Sequence, residues 1–162
     1  MKKKYPLLLF LTFLLLFDSF AYSQSERVPP FQMILHTGKL FRAQNLPMGK
    51  HIIIVYFSPE CEECHEFTTE LLKRIDDFQN ASIAMITYMP VEKVKPYVAD
   101  NKLDKYPNIY VGTEGNTLFV ANYYNIRQFP FVALYNKNGI LLKKYTSKEV
   151  NLIDLINRLK SL

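Results

Sequence analysis

His51-Ile-Ile-Ile-Val-Tyr-Phe-Ser-Pro-Glu-Cys-Glu-Glu-Cys64 is the stretch on which the reading of this chain turns. Residues 51–57 are a run of β-branched and aromatic side chains, the composition of a strand buried on both faces. Ser58 and Pro59 follow as helix-start signals, a capping residue type and then a first-turn proline. Beyond them Phe67, Leu71, Ile75 and Phe78 recur at helical spacing and predict one amphipathic helix. Cys61 and Cys64, the chain's only cysteines, therefore sit where a strand hands over to a helix. Two thiols so placed can close into a small disulfide and reopen, exchanging electrons with the cysteines of another protein. The strand before them and the helix after them mark a redox site rather than a chance pair.

Working outward, Ala81–Tyr88 is a second strand-like run, ended by Met89-Pro90. Val91–Lys102 predicts a helix that Pro96 bends or shortens. Tyr106–Val111 predicts a short strand or extended loop, and Thr117–Tyr124 a further helix. Phe131–Tyr135 and Ile140–Tyr145 predict a hairpin about Asn136-Lys-Asn-Gly139. Thr146-Ser-Lys-Glu149 has the form of a capping box and predicts the start of a last helix, with Leu152, Leu155, Ile156 and Leu159 facing inward. On the other side of the opening stretch, Phe31–Leu35 and Lys39–Phe41 flank a His-Thr-Gly turn and predict a hairpin. This order predicts an α/β domain with a mixed central sheet and helices on both faces.

Lys2, Lys3 and Lys4 precede an apolar stretch from Leu7 to Phe17, and Ala21-Tyr-Ser23 has the small-x-small form of a cleavage site. The apolar stretch is shorter than the roughly 20 residues that span a bilayer. The expectation is a signal peptide over 1–23, a periplasmic location and a single domain over 24–162; an uncleaved membrane anchor stays as the alternative. A periplasm permits disulfides. The chain carries a formal +5, from 20 Lys+Arg against 15 Asp+Glu. Part of that excess belongs to the first 23 residues. Elsewhere lysines and acids alternate without a basic run, so no nucleic-acid partner is expected, and no membrane after cleavage. A monomer is expected.

With these residues in view, the chain resembles the thioredoxin superfamily over about 28–162, and within it the exported TlpA-like branch. The resemblance rests on Phe57-Ser-Pro-Glu-Cys-Glu-Glu-Cys64, on Phe129-Pro130-Phe131 and on the Asn138-Gly139 hairpin. It implies a thioredoxin-like fold, here with an N-terminal hairpin extension. It implies a thiol-disulfide oxidoreductase with no cofactor beyond the Cys61–Cys64 disulfide, acting on protein thiol and disulfide clients and drawing on an envelope electron donor. It further implies that Cys61 is the nucleophile and Cys64 the resolving thiol. Pro130 would be cis, face the cysteines and form with Phe129 the platform for an extended client segment. Independently of the resemblance, a helix N-terminus favours a thiolate at Cys61.

The chain departs from the family pattern at four places. Glu60 stands where tryptophan is usual, Glu62-Glu63 where Gly-Pro is usual, and Phe131 where threonine is frequent. Val55 stands where a buried acid often helps the second cysteine give up its proton. Glu60, Glu62, Glu63 and Glu66 oppose the pull of the helix terminus on a thiolate. Glu62, Glu63 and His65 are thus candidates for tuning the thiols, and the balance leans toward a reductase or isomerase.

Other chemistries share the motif. Cys61-Glu-Glu-Cys64-His65 is also the c-type haem attachment pattern, with Met85 or Met89 as distal ligands. Against haem stands the continuous strand before the motif. Zinc lacks a fourth ligand at suitable spacing, since His36 and His51 lie apart from the motif. No peroxiredoxin-type threonine–cysteine motif is present. A thioredoxin fold used as a non-catalytic adaptor, with a structural disulfide, remains open.

Overall fold

The structure, a computed structural model, describes residues 26–161; the expected signal segment 1–23 lies outside them. Seven strands follow in chain order: β1 (Gln32–Leu35), β2 (Leu40–Arg42), β3 (His51–Tyr56), β4 (Ala81–Thr87), β5 (Ile109–Thr113), β6 (Phe131–Tyr135) and β7 (Leu141–Tyr145). The helices are α1 (Glu62–Lys73), α2 (Val91–Asp100), α3 (Phe119–Tyr123) and α4 (Leu152–Lys160). All seven strands join one mixed sheet in the order β2-β1-β5-β4-β3-β6-β7. The expected α/β architecture and N-terminal hairpin are both present.

The apolar run at 51–57 takes an inner place because it has no side to offer water. β4 pairs with β3 in parallel, and β6 pairs with it antiparallel. Alternation sends Ile53 and Val55 into one core layer, and Ile54 and Tyr56 into the other. β4 is buried along its whole length, as a strand covered on both faces must be. The crossovers β3–α1–β4 and β4–α2–β5 step in the same direction across the sheet. Right-handed connections therefore place α1 and α2 on the same face. Phe67 and Leu71 of α1, Val94 and Val98 of α2, and Leu155 and Ile156 of α4 fill that layer. α3 lies on the opposite face, where Val120 packs with Ile54, Tyr56 and Ala84.

The N-terminal residues finish this second face. Arg27 bridges Ile140, the Val28 N–H donates to the Gly139 carbonyl at 3.1 Å, and the Leu141 N–H donates to the Glu26 carbonyl at 2.8 Å. From β7 the chain crosses the sheet as a strap, burying Phe31, and reaches the far edge as the β1–β2 hairpin. β1 docks antiparallel on β5 through Ile34↔Thr113 and Leu35↔Gly112. Gly112 permits this approach, because a Cβ there would stand 2.6 Å from the Ile34 carbonyl oxygen.

Several boundaries differ from the sequence reading. The first helix begins at Glu62 rather than at Ser58-Pro59, with Cys61 as its cap. Ser58 instead forms a turn: its carbonyl accepts the Cys61 N–H at 3.1 Å and its Oγ accepts the Glu60 N–H at 3.2 Å. The helix ends at Lys73, and the 3-10 turn Ile75–Phe78 carries the apolar pattern on to Phe78. Pro96 sits inside α2, which ends at Asp100. The strand expected over 106–111 runs over Ile109–Thr113. The box at Thr146 and Glu149 closes the 3-10 turn Ser147–Glu149, while α4 is capped by Asn151.

Candidate active site

The two cysteines stand where β3 ends and α1 begins. Cys61 caps the helix with its sulfur, which accepts the Cys64 N–H at 3.2 Å. The two sulfurs lie in direct contact, 2.6 Å apart, within reach of joining as a disulfide. Helical geometry separates their access to solvent. Cys61 is half-buried at the rim, whereas Cys64, one turn deeper, is 1 % exposed. Burial pushes the Cys64 thiol well above its usual range; the contact with Cys61 and the negative charge of Glu63 add to the rise.

Of the three residues expected to tune the thiols, only Glu63 touches a sulfur. Its Oε2 accepts from Cys61 Sγ at 3.5 Å. Glu62 is exposed in the first turn of α1, where its charge suits the helix dipole. The His65 imidazole is engaged elsewhere: Nε2 donates to the Pro59 carbonyl at 2.8 Å, and the ring lies 4.8 Å from that of Tyr97. Val55 is fully buried among apolar neighbours, so no carboxylate occupies that place beneath the cysteines. A hydroxyl pair lies near Cys64 instead. The Tyr97 hydroxyl donates to the Cys64 carbonyl at 3.2 Å and shares a 2.7 Å hydrogen bond with Thr68 Oγ1. Burial raises the Tyr97 phenol, which holds it protonated as a donor.

The Phe129–Pro130 peptide is cis and leads directly into β6, with Pro130 buried. Phe129 is half-buried and packs against the same core layer as Cys61. Its ring lies 5.9 Å from that of Tyr56 and 6.1 Å from that of Tyr88, which follows β4. The structure thus brings Cys61, Cys64, Glu63, Phe129 and Pro130 to the C-terminal edge of the parallel strands. The sequence reading missed Glu114 at the same edge. This carboxylate is 6 % exposed and accepts the Tyr56 hydroxyl at 2.6 Å and the Val120 N–H at 2.7 Å.

The arrangement disfavours haem held by His65 and Met85, whereas Met89 is half-buried beyond β4. Met85 is 1 % exposed inside the α1 core layer, and the His65 nitrogen is spent on a backbone carbonyl. Among the described residues no group of three or more His, Cys, Asp or Glu side chains is placed to hold a metal ion, and no helix is long and apolar enough to cross a membrane.

Residues 43–157 match the family pattern described as a thioredoxin-like domain. The chain belongs to the thioredoxin-like family. No curated protein matches its sequence. Among solved structures, a secreted disulfide oxidoreductase of Mycobacterium tuberculosis, described as homologous to E. coli DsbE, is 17% identical. The match covers 82% of this chain and 96% of that one, with a TM-score of 0.66. A thiol-disulfide oxidoreductase of Bacteroides fragilis is 15% identical over 84% of this chain and 98% of its own, with a TM-score of 0.68. The peroxidoxin BcpB of M. tuberculosis reaches a TM-score of 0.73 at 14% identity, over 85% of this chain and 96% of its own. At such identities the likeness concerns the fold. Beyond the fold, this thioredoxin-like protein carries its own cysteine pair at the head of α1.

Proposed function

We propose that this thioredoxin-like protein is an exported thiol-disulfide oxidoreductase that works on cysteines of envelope proteins, as a reductase or isomerase. The observation that carries the reading is the paired thiols, sulfurs 2.6 Å apart, one at the rim and one buried. Cys61 as thiolate attacks a sulfur of the client disulfide. The client S–S bond breaks, a Cys61–client disulfide forms, and the second client sulfur leaves as a thiolate that takes up a proton. Cys64 then loses its proton and attacks Cys61 Sγ. This closes the Cys61–Cys64 disulfide and releases the first client sulfur as a thiol. Two electrons pass from the dithiol to the client, and an envelope electron donor restores the pair. Phe129 and Pro130 form the ledge on which the client's extended backbone lies. The domain acts in the periplasm as a monomer, released from the signal over 1–23.

The test is turnover. The reduced protein reduces insulin or a scrambled disulfide protein, and both Cys61→Ser and Cys64→Ser abolish it. A reduction potential near thioredoxin's ~−270 mV supports client reduction, whereas one near ~−120 mV would reverse the direction of flow. A pair that never exchanges with any protein disulfide would leave an adaptor with a structural crosslink.

A further inference from the structure

Charge is distributed unevenly about the thiols. The chain as a whole is +5, yet residues 57–72 hold Glu60, Glu62, Glu63, Glu66 and Glu70 and no lysine or arginine. The four glutamates at 60–66 are exposed, all within five residues of Cys61 in the chain. Glu60 is partly offset by Lys93, 2.9 Å away, but Glu92 lies beside that lysine in the first turn of α2. Glu62 and Glu66 have no ion-pair partner among the described residues, and Glu63 touches the reactive sulfur itself. A small anionic thiol meets like charge on approach.

A second, independent feature points to a polypeptide. Large exposed hydrophobic side chains stand at the same edge of the sheet: Tyr88 after β4, and Leu118 and Phe119 after β5. Tyr88 continues directly into the ledge through its ring contact with Phe129. The hydrogen bond from the Glu114 N–H to the Thr87 carbonyl, at 2.8 Å, ties the ends of β4 and β5 together. Tyr88 and Phe129 thus offer an apolar ledge at the edge of the sheet where the glutamates gather.

Resting on the oxidoreductase reading, we propose that the clients are polypeptide segments with lysine or arginine beside the exchanging cysteine. The glutamates act at two stages. They steer the basic segment toward Cys61, and they hold that segment while the mixed disulfide persists. In water a unit charge pair at ~7 Å changes a rate or an affinity by about threefold, so two or three such pairs give about tenfold or more. This preference falls as salt rises, because the charges are exposed.

The experiment uses the reduced protein and three synthetic peptides with the same disulfide loop, whose cysteines are flanked by lysine, glutamine or glutamate. Glutathione disulfide is the small anionic comparison. At low ionic strength the lysine peptide should exchange at least about tenfold faster than the glutamate peptide, with glutathione disulfide slowest. The ratio should contract at 0.5 M salt, and Glu66→Lys should lower it by about threefold or more. Equal rates on all three peptides, or a ratio indifferent to salt and to Glu66→Lys, would overturn the proposal while leaving the oxidoreductase intact. Exchange with none of the peptides and none of the protein disulfides would remove both.

Discussion

Burial sets two identical thiols apart. The Cys64 sulfur is shielded and its proton is held, while Cys61 meets solvent. A limiting amount of alkylating reagent should therefore label Cys61 first, as mass spectrometry of digests would show. Cys64→Ser should trap clients as mixed disulfides and Cys61→Ser should not. The raised Cys64 thiol also bears on stability. Above its ordinary value of 9.0 the unfolded chain loses this proton and the folded chain keeps it. The contribution is thus full below about pH 9 and is lost as pH rises, by up to ~1.4 kcal/mol per unit. Urea midpoints of the reduced protein should fall more steeply from pH 9 to 10 than those of Cys64→Ser. The cysteine pair was plain in the sequence because its spacing is local. Glu114 was not, since the Tyr56 hydroxyl it accepts comes from a residue 58 positions earlier.

Among the elements, α3 depends most on its surroundings. Five residues cannot sustain a helix alone. The Glu114 carboxylate supplies acceptors to the Val120 and Ala121 N–H groups and to Tyr56. Glu114→Ala would leave these buried donors without a partner and should cost ~3 kcal/mol in denaturant titrations. Amide exchange at Val120 and Ala121 should quicken with it. At the last helix, the Asn151 side chain accepts the Ile153 and Asp154 N–H groups at 2.9 and 3.1 Å. Asn151→Ala should cost ~1 kcal/mol of unfolding free energy. Periodicity revealed these helices but misplaced their starts. Ser58 and Thr146 both have capping chemistry, yet each closes a local turn that ends before the helix proper. Competing side-chain-to-backbone bonds of this kind have the same signature in sequence. The inner strands and the β6–β7 hairpin were legible because an unbroken apolar run and an Asn-Gly turn have few alternatives.

For the whole molecule, the decisive relations are between segments far apart in the chain. The hairpin β1–β2 was expected from the His-Thr-Gly turn between its two runs, but not its docking on β5, which depends on the missing side chain at Gly112. Gly112→Ala should force β1 away from the sheet, lower stability by ~1–3 kcal/mol and expose the amides of Met33–Leu35 to exchange. Nor could any local pattern show that residues 26–28 pair beside the β6–β7 turn. That turn follows the C-terminal end of β6, which pairs with the start of β3, whereas the cysteines follow the end of β3. A six-residue strand spans about 20 Å. Whatever precedes Glu26 thus joins the domain at the pole opposite the thiols. A tether attached there would act like a mooring line at the stern: the domain could swing on it with the bow clear, and docking clients would not compete with the anchorage for space.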